Sequence, residues 1–263
     1  MKENSYSKWN NNKANRYAVL GMSGLGKTFI SLQLKKLKNW NHYSVDYEIG
    51  KLLFTENNKR FLDGFSIDNL SNLSVFLGKP GNKKKRGITF TEYVKRQRLH
   101  KKAEIAATLN SCKAVNSTDY ENFICDTSGS ICEIVNPKDS KDEILNAISK
   151  NFLIICLEAN KDIHETLIQR FTLSPKPMFY QEEFLTKLWK DYLISVNRDE
   201  TKVDPDDFIL YGYKALVTRR QKLFEEIGEN WGIRVNFNEI KKIKTGSDFV
   251  EIVRSKLKEK EVE

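Results

Sequence analysis

Short apolar runs alternate along this chain with longer stretches in which apolar residues recur every three or four positions. That is the trace left by strand–helix–strand units around a parallel sheet. Five runs read as strands: 16–20, 43–45, 123–125, 152–157 and 233–237. Each is short and apolar, as strands covered on both faces are. Helical spacing follows the first strand over 26–38, through Phe29, Ile30, Leu32, Leu34 and Leu37. It returns over 247–258, through Phe249, Ile252, Val253 and Leu257. The expected fold class is α/β: three layers, with a five-stranded, mainly parallel sheet and helical insertions.

Two insertions interrupt the alternation. The first, 47–120, contains a Gly-, Pro- and Lys-rich turn at 78–87 and reads as a helical cap. Within it, Thr89 followed by Glu92 predicts a capping box for a helix running to about Leu109, with Lys95, Arg96, Arg98, Lys101 and Lys102 on its basic face. The second, 163–227, is helical and broken at Pro175, Pro177 and Pro205. Residues 1–15 read as a polar tail, and 16–263 as a single domain carrying both insertions.

Composition narrows the classes. With 263 residues the chain can bury a full core, and 40% apolar with 30% charged residues describes a globular protein. No window approaches the ~18 uninterrupted apolar residues of a membrane span, and the N-terminus lacks the apolar core of a secretory signal, so a cytoplasmic location is expected. Cys112, Cys125, Cys132 and Cys156 lie far apart, without metal-ligand spacing, and are expected as reduced thiols, Cys125 and Cys156 in the core. His42, His100 and His164 are isolated and read as structural. A net charge of +9 suits a polyanion, but the lysines are interspersed with acids over the whole chain, so nucleic acid is only weakly indicated.

One motif decides the chemistry. Gly21-Met22-Ser23-Gly24-Leu25-Gly26-Lys27-Thr28 satisfies G-x-x-x-x-G-K-[ST] at every fixed position, between an apolar strand and an amphipathic helix. Glycines let the backbone curl so that successive N–H groups point inward at phosphate oxygens, and the following helix adds its positive end. Lys27 is expected to reach the β and γ oxygens, and Thr28 to coordinate magnesium. A second magnesium-side group is expected at the end of a neighbouring strand, and Asp126 fits, followed by the small polar residues Thr127-Ser128-Gly129-Ser130. Asp46 ends the second strand. It is a candidate general base for an acceptor hydroxyl, with a helix N-cap as the competing reading.

GMSGLGKT and FICDTSGS, with this strand layout, resemble the P-loop NTPase superfamily on its kinase-like side. HYSVDYEIG at 42–50, the run 76–109, NFICDTSGSICEIV at 122–135 and PKPMFYQ at 175–181 resemble a family of bacterial proteins known only as ATPases. The resemblance implies phosphate-binding roles for Gly21, Gly26, Lys27 and Thr28, and a magnesium-side carboxylate at Asp126. It also places a lid after the fourth strand, where Arg170 stands; Arg219 and Arg220 are the other lid candidates. Asp126-Thr127-Ser128-Gly129 also fits a D-x-x-G sensor, but the guanine signature fails. In Asn160-Lys161-Asp162-Ile163 the Asp stands one place too early for N-K-x-D, so ATP is the expected nucleotide. The resulting expectation is an ATP- and magnesium-dependent small-molecule kinase, its acceptor held between Asp46 and the cap. An ATPase switch acting on a protein or nucleic acid, and a polynucleotide or tRNA kinase, are the alternatives.

Overall fold

The computed structural model describes residue 9, residues 14–57 and residues 72–262. Most of the polar tail and the middle of the first insertion lie outside the described residues. Five strands, β1 (Arg16–Leu20), β2 (Trp40–Ser44), β3 (Asn122–Asp126), β4 (Leu153–Glu158) and β5 (Gly232–Asn236), form one sheet in the order β2-β3-β1-β4-β5. Every pairing is parallel, with Val19 opposite Asp126, Leu20 opposite Cys156 and Ser44 opposite Asp126. The three-layer α/β expectation is met.

Helices among the described residues are α1 (Lys27–Lys35), α2 (Val45–Asn57), α3 (Asn72–Leu77), α4 (Phe90–Asn116), α5 (Glu143–Asn151), α6 (Lys161–Leu173), α7 (Glu182–Val196), α8 (Pro205–Trp231), α9 (Phe237–Ile240) and α10 (Gly246–Val262). None is long and apolar enough to cross a membrane.

The described residues divide into two compact units, and the divisions at 106/107 and 220/221 fall inside α4 and α8. One unit carries the sheet and comprises the chain up to Val45, Ala107–Asn160 and the chain from Gln221 on. Its core is the sheet itself: all five residues of β3 are buried, because apolar side chains on both faces of a central strand must be covered. Ile30 and Leu34 of α1 pack inward, whereas Phe29 and Leu32 are exposed. The four cysteines are buried thiols outside any disulfide, and burial pushes the Cys125 thiol up to about 12. α5 is a helix the sequence reading did not single out. The Asp142 side chain caps it, accepting from Leu145 N at 2.8 Å, and Ile144, Leu145 and Ile148 are its buried face.

The other unit, Asp46–Ala106 with Lys161–Arg220, is helical. Its interior holds an aromatic cluster, with Phe90 stacked on Trp189 at 4.9 Å and Trp189 edge-on to Phe208 at 4.6 Å. Residues 178–180 are clamped by backbone bonds. Tyr93 Oη and Gln97 Nε2 donate to Met178 O at 2.9 and 3.1 Å, and Tyr180 N donates to Gln97 Oε1 at 2.9 Å. Here α4 differs from its expectation. Thr89 Oγ1 does accept from Glu92 N at 3.2 Å, but the Glu92 carboxylate turns to Arg96 Nε at 2.9 Å, because an ion pair one turn along its own helix competes for it. The helix also runs on to Asn116 rather than stopping near Leu109. The breaks at Pro175, Pro177 and Pro205 are where the chain leaves α6 and enters α8, with Pro205 as first residue of α8, where a missing N–H costs nothing.

Candidate functional site

β1 lies at the centre of the sheet and ends at Leu20, so the loop 21–26 emerges at the carboxyl edge between the ends of β3 and β4. In open parallel sheets this crevice is where ligands bind. The loop can take its path because Gly24 and Gly26 have φ of 90° and 93°, a region that side chains avoid. Gly26 is the N-cap of α1, with no side-chain cap, so the first N–H groups of that helix are left pointing toward the loop. Ile240 of α9 supports this corner: a Cβ on Gly26 would rest 3.6 Å from its Cγ2.

Lys27 is buried, with 7% of its surface exposed. Its Nζ folds back on the loop and donates to Gly21 O at 2.8 Å and Met22 O at 3.3 Å. Asp126, the last residue of β3, is 5% exposed. Burial raises its pKa, and the Lys27 charge and a hydrogen bond with the Thr28 side chain oppose that rise. Lys27, Thr28 and Asp126, three of the residues singled out in the sequence, are thus gathered at one corner.

The turn after β3 leans on the loop. Thr127 Oγ1 donates to Val19 O at 2.9 Å, and a Cβ on Gly129 would fall 2.3 Å from Ser23 Oγ and 2.9 Å from Ser23 N. Only a glycine allows that approach.

His42, which reads as structural in the sequence, lies beside this corner. Its side chain is 2% exposed, with Nε2 4.0 Å from Asp126 Oδ2, and burial followed by the Lys35 charge lowers its pKa to about 4. The pairing of β2 with β3 makes the connection: His42 stands one pleat back from the residue opposite Asp126.

Asp46 is not at a strand end. β2 stops at Ser44 and α2 starts at Val45, which puts Asp46 in the first helical turn, where a carboxylate meets the positive end of the helix. The expected strand ran one residue too far because Val45 is β-branched and buried, and it began three residues late because the polar Asn41 and His42 interrupt the apolar run that Trp40 opens. Among the arginines, Arg220 is 3% exposed and donates to Phe179 O at 2.6 Å. The Arg219 guanidinium sits 4.8 Å from the Phe184 ring centroid. Arg96 donates to Phe76 O at 3.0 Å, and Arg98 pairs with Glu182. Arg170, in the last turn of α6, is exposed.

Beyond the ends of β4 and β5 a cleft of about 210 Å³ is lined by Glu158, Arg234, Asn236, Glu239, Lys256 and Glu259, among others. Its charges are cross-paired, Arg234 with Glu158 and Lys256 with both Glu239 and Glu259, each at 3.2 Å. Burial raises the pKa of Glu158; Arg234 opposes this, and Glu225, Glu229 and Glu239 reinforce it.

These features define an α/β protein with a glycine loop and a buried Lys–Asp corner at the carboxyl edge of a parallel sheet. No family model matches the chain, and no curated protein matches it. Among solved structures, shikimate kinase from Bacteroides thetaiotaomicron overlaps with a TM-score of 0.45 at 10% identity, over 93% of this chain and 98% of that one. A sulfotransferase from Alicyclobacillus acidocaldarius overlaps with a TM-score of 0.36 at 13% identity, over 92% and 78% of the two chains. Overlap this loose carries no functional argument.

Proposed function

We propose that the loop 21–28 binds the phosphates of ATP with magnesium, and that the protein transfers the terminal phosphoryl group to a small-molecule acceptor. The observation that carries this reading is the state of Lys27. A buried ammonium held by two neutral carbonyls of its own loop is poised to exchange them for phosphate oxygens, which add opposite charge to the same hydrogen bonds. The uncapped N-terminus of α1 supplies N–H donors for the same anion.

The corner also fits magnesium. Thr28 and Asp126 bring a hydroxyl and a carboxylate together, the oxygen donors that a hard cation takes. Among the described residues no cluster of three or more His, Cys, Asp or Glu could form an all-protein cage. That suits an ion that arrives on the triphosphate and keeps its waters. Bound there, magnesium would neutralise charge on the β and γ oxygens. The remaining work falls to the chain. The Lys27 ammonium moves from Gly21 O and Met22 O to the oxygens of the transferring group. The acceptor hydroxyl oxygen forms a bond to the γ phosphorus as the bond to the β–γ bridging oxygen breaks, and ADP leaves. Asp46 is the proposed base for the hydroxyl proton and Arg170 the proposed cation from the lid, both resting on sequence position.

Mass spectrometry of a metabolite panel incubated with ATP, magnesium and the protein should show one phosphorylated product. Lys27→Ala should remove it, with at least about a 100-fold loss of turnover, in the range seen when an electrostatic stabiliser is deleted. Hydrolysis without any acceptor, stimulated by a protein or polynucleotide, would move the reading to an ATPase switch. Undiminished activity of Lys27→Ala would remove the loop from the mechanism.

A further inference from the structure

His42 stands outside the chemistry described so far, yet it is buried against the centre of it. Side chains alternate along a strand, and the register sets His42 opposite Ile124 and Ser44 opposite Asp126. His42 and Asp126 therefore project from the same face of neighbouring strands. That face is the one covered by α1, which packs on both β2 and β3 and whose Thr28 side chain bonds Asp126. The imidazole is buried on that face, one pleat back from the carboxylate.

His42 Nε2 is fully buried and has no hydrogen-bond partner among the described residues. Leaving a ring nitrogen in that condition costs about 1–3 kcal/mol, so its persistence calls for an occasion on which it is satisfied. The polar atom it faces is Asp126 Oδ2 at 4.0 Å, too far for a hydrogen bond and too close for a bridging water. A carboxylate shift of about 1 Å closes the distance to a normal bond.

We propose that His42 is a positioning residue for Asp126: as the Nε2–H tautomer it takes one carboxylate oxygen in the nucleotide-bound state, fixing the other toward the metal ion. This rests on the assignment of Asp126 to the magnesium side. A donor on the far oxygen of a metal-side carboxylate sets its orientation, and removing such outer partners lowers metal affinity about 10–100-fold.

The test is a Mn2+ titration of the protein–ATP complex, followed by electron paramagnetic resonance, alongside metal-free ATP binding. His42→Leu fills the space without a donor and should weaken Mn2+ about 10-fold while leaving metal-free ATP binding unchanged. His42→Gln restores an N–H near the Nε2 position and should recover most of that affinity. Urea unfolding of each variant identifies any that fails to fold, and the Gln protein carries the test if the Leu protein does. Equal loss of Mn2+ affinity in His42→Gln and His42→Leu overturns the proposal. If Asp126→Asn loses Mn2+ while His42→Leu does not, the proposal fails and the reading of Asp126 stands. If Asp126→Asn binds Mn2+ like the parent, both fail.

Discussion

Gly129→Ala tests the interlock between the turn after β3 and the glycine loop. The new Cβ would sit 2.3 Å from Ser23 Oγ, about 0.7 Å inside the 3.0 Å that real Cβ atoms essentially never breach, and 2.9 Å from Ser23 N. The hydroxyl can rotate away, but the backbone nitrogen cannot. The loop must therefore give by some tenths of an ångström at the place where its N–H groups are proposed to meet phosphate. Forcing an extra methyl into such a contact costs about 1–3 kcal/mol, and a misplacement approaching 1 Å costs up to about 100-fold in function. We expect Gly129→Ala to lose about 1–2 kcal/mol in urea unfolding and about 10-fold in affinity for a fluorescent ATP analogue. Ser23→Gly removes the nearest atom, so Ser23→Gly/Gly129→Ala should be more stable than the two single losses predict, with a coupling of about 1 kcal/mol. A Gly129→Ala protein within about 0.5 kcal/mol of the parent, with unchanged nucleotide affinity, would refute the reasoning.

Two further outcomes concern pH. His100 is held well below its ordinary value, to about 3, by burial and then by the Arg220 charge, with Glu104 Oε2 3.5 Å from its Nδ1. The ring is neutral when folded and takes up a proton on unfolding once the pH falls below its ordinary value, so stability drops from about pH 6.5 toward 3. At about pH 5 the loss is about 2 kcal/mol. Urea midpoints measured across this window should fall less steeply in His100→Gln. Glu158 has the opposite sign: its pKa is raised by burial and by the glutamates around it, so its ionised form costs stability above that pKa. Glu158→Gln should raise the urea midpoint at pH 7, and the gain should vanish in acid, where Glu158 itself is protonated.

The sheet was legible because a buried parallel strand leaves an uninterrupted apolar run, and β1, β3, β4 and β5 fall within a residue or so of the runs that mark them. Lys27, Thr28 and Asp126 were legible because their spacing follows from one loop and one neighbouring strand end. What stayed hidden depends on partners that periodicity does not report. His42 has the same local pattern as any histidine on a half-polar strand, and only the β2–β3 register reveals Asp126 beside it. Gln97 lies unmarked in the helical pattern and Arg220 reads as a lid candidate, yet both hold the backbone of 178–180. The nine residues of α5 carry three buried apolar positions, too few to separate a helix from a loop.

The central place of β1 bears on how the protein can be made. β1 leaves the ribosome before its sheet neighbours, which pair with it at Phe123 and Leu153, and the path of the loop after it is set by Leu157, since a Cβ on Gly21 would lie 3.1 Å from that residue's Cβ and carbonyl oxygen. During synthesis the segment 16–28 therefore waits while the residues up to β3, and then those up to β4, are translated. Closing loops of that length is slow. A nucleotide cannot template the early steps, because the cradle proposed to receive it exists only after β4 has docked.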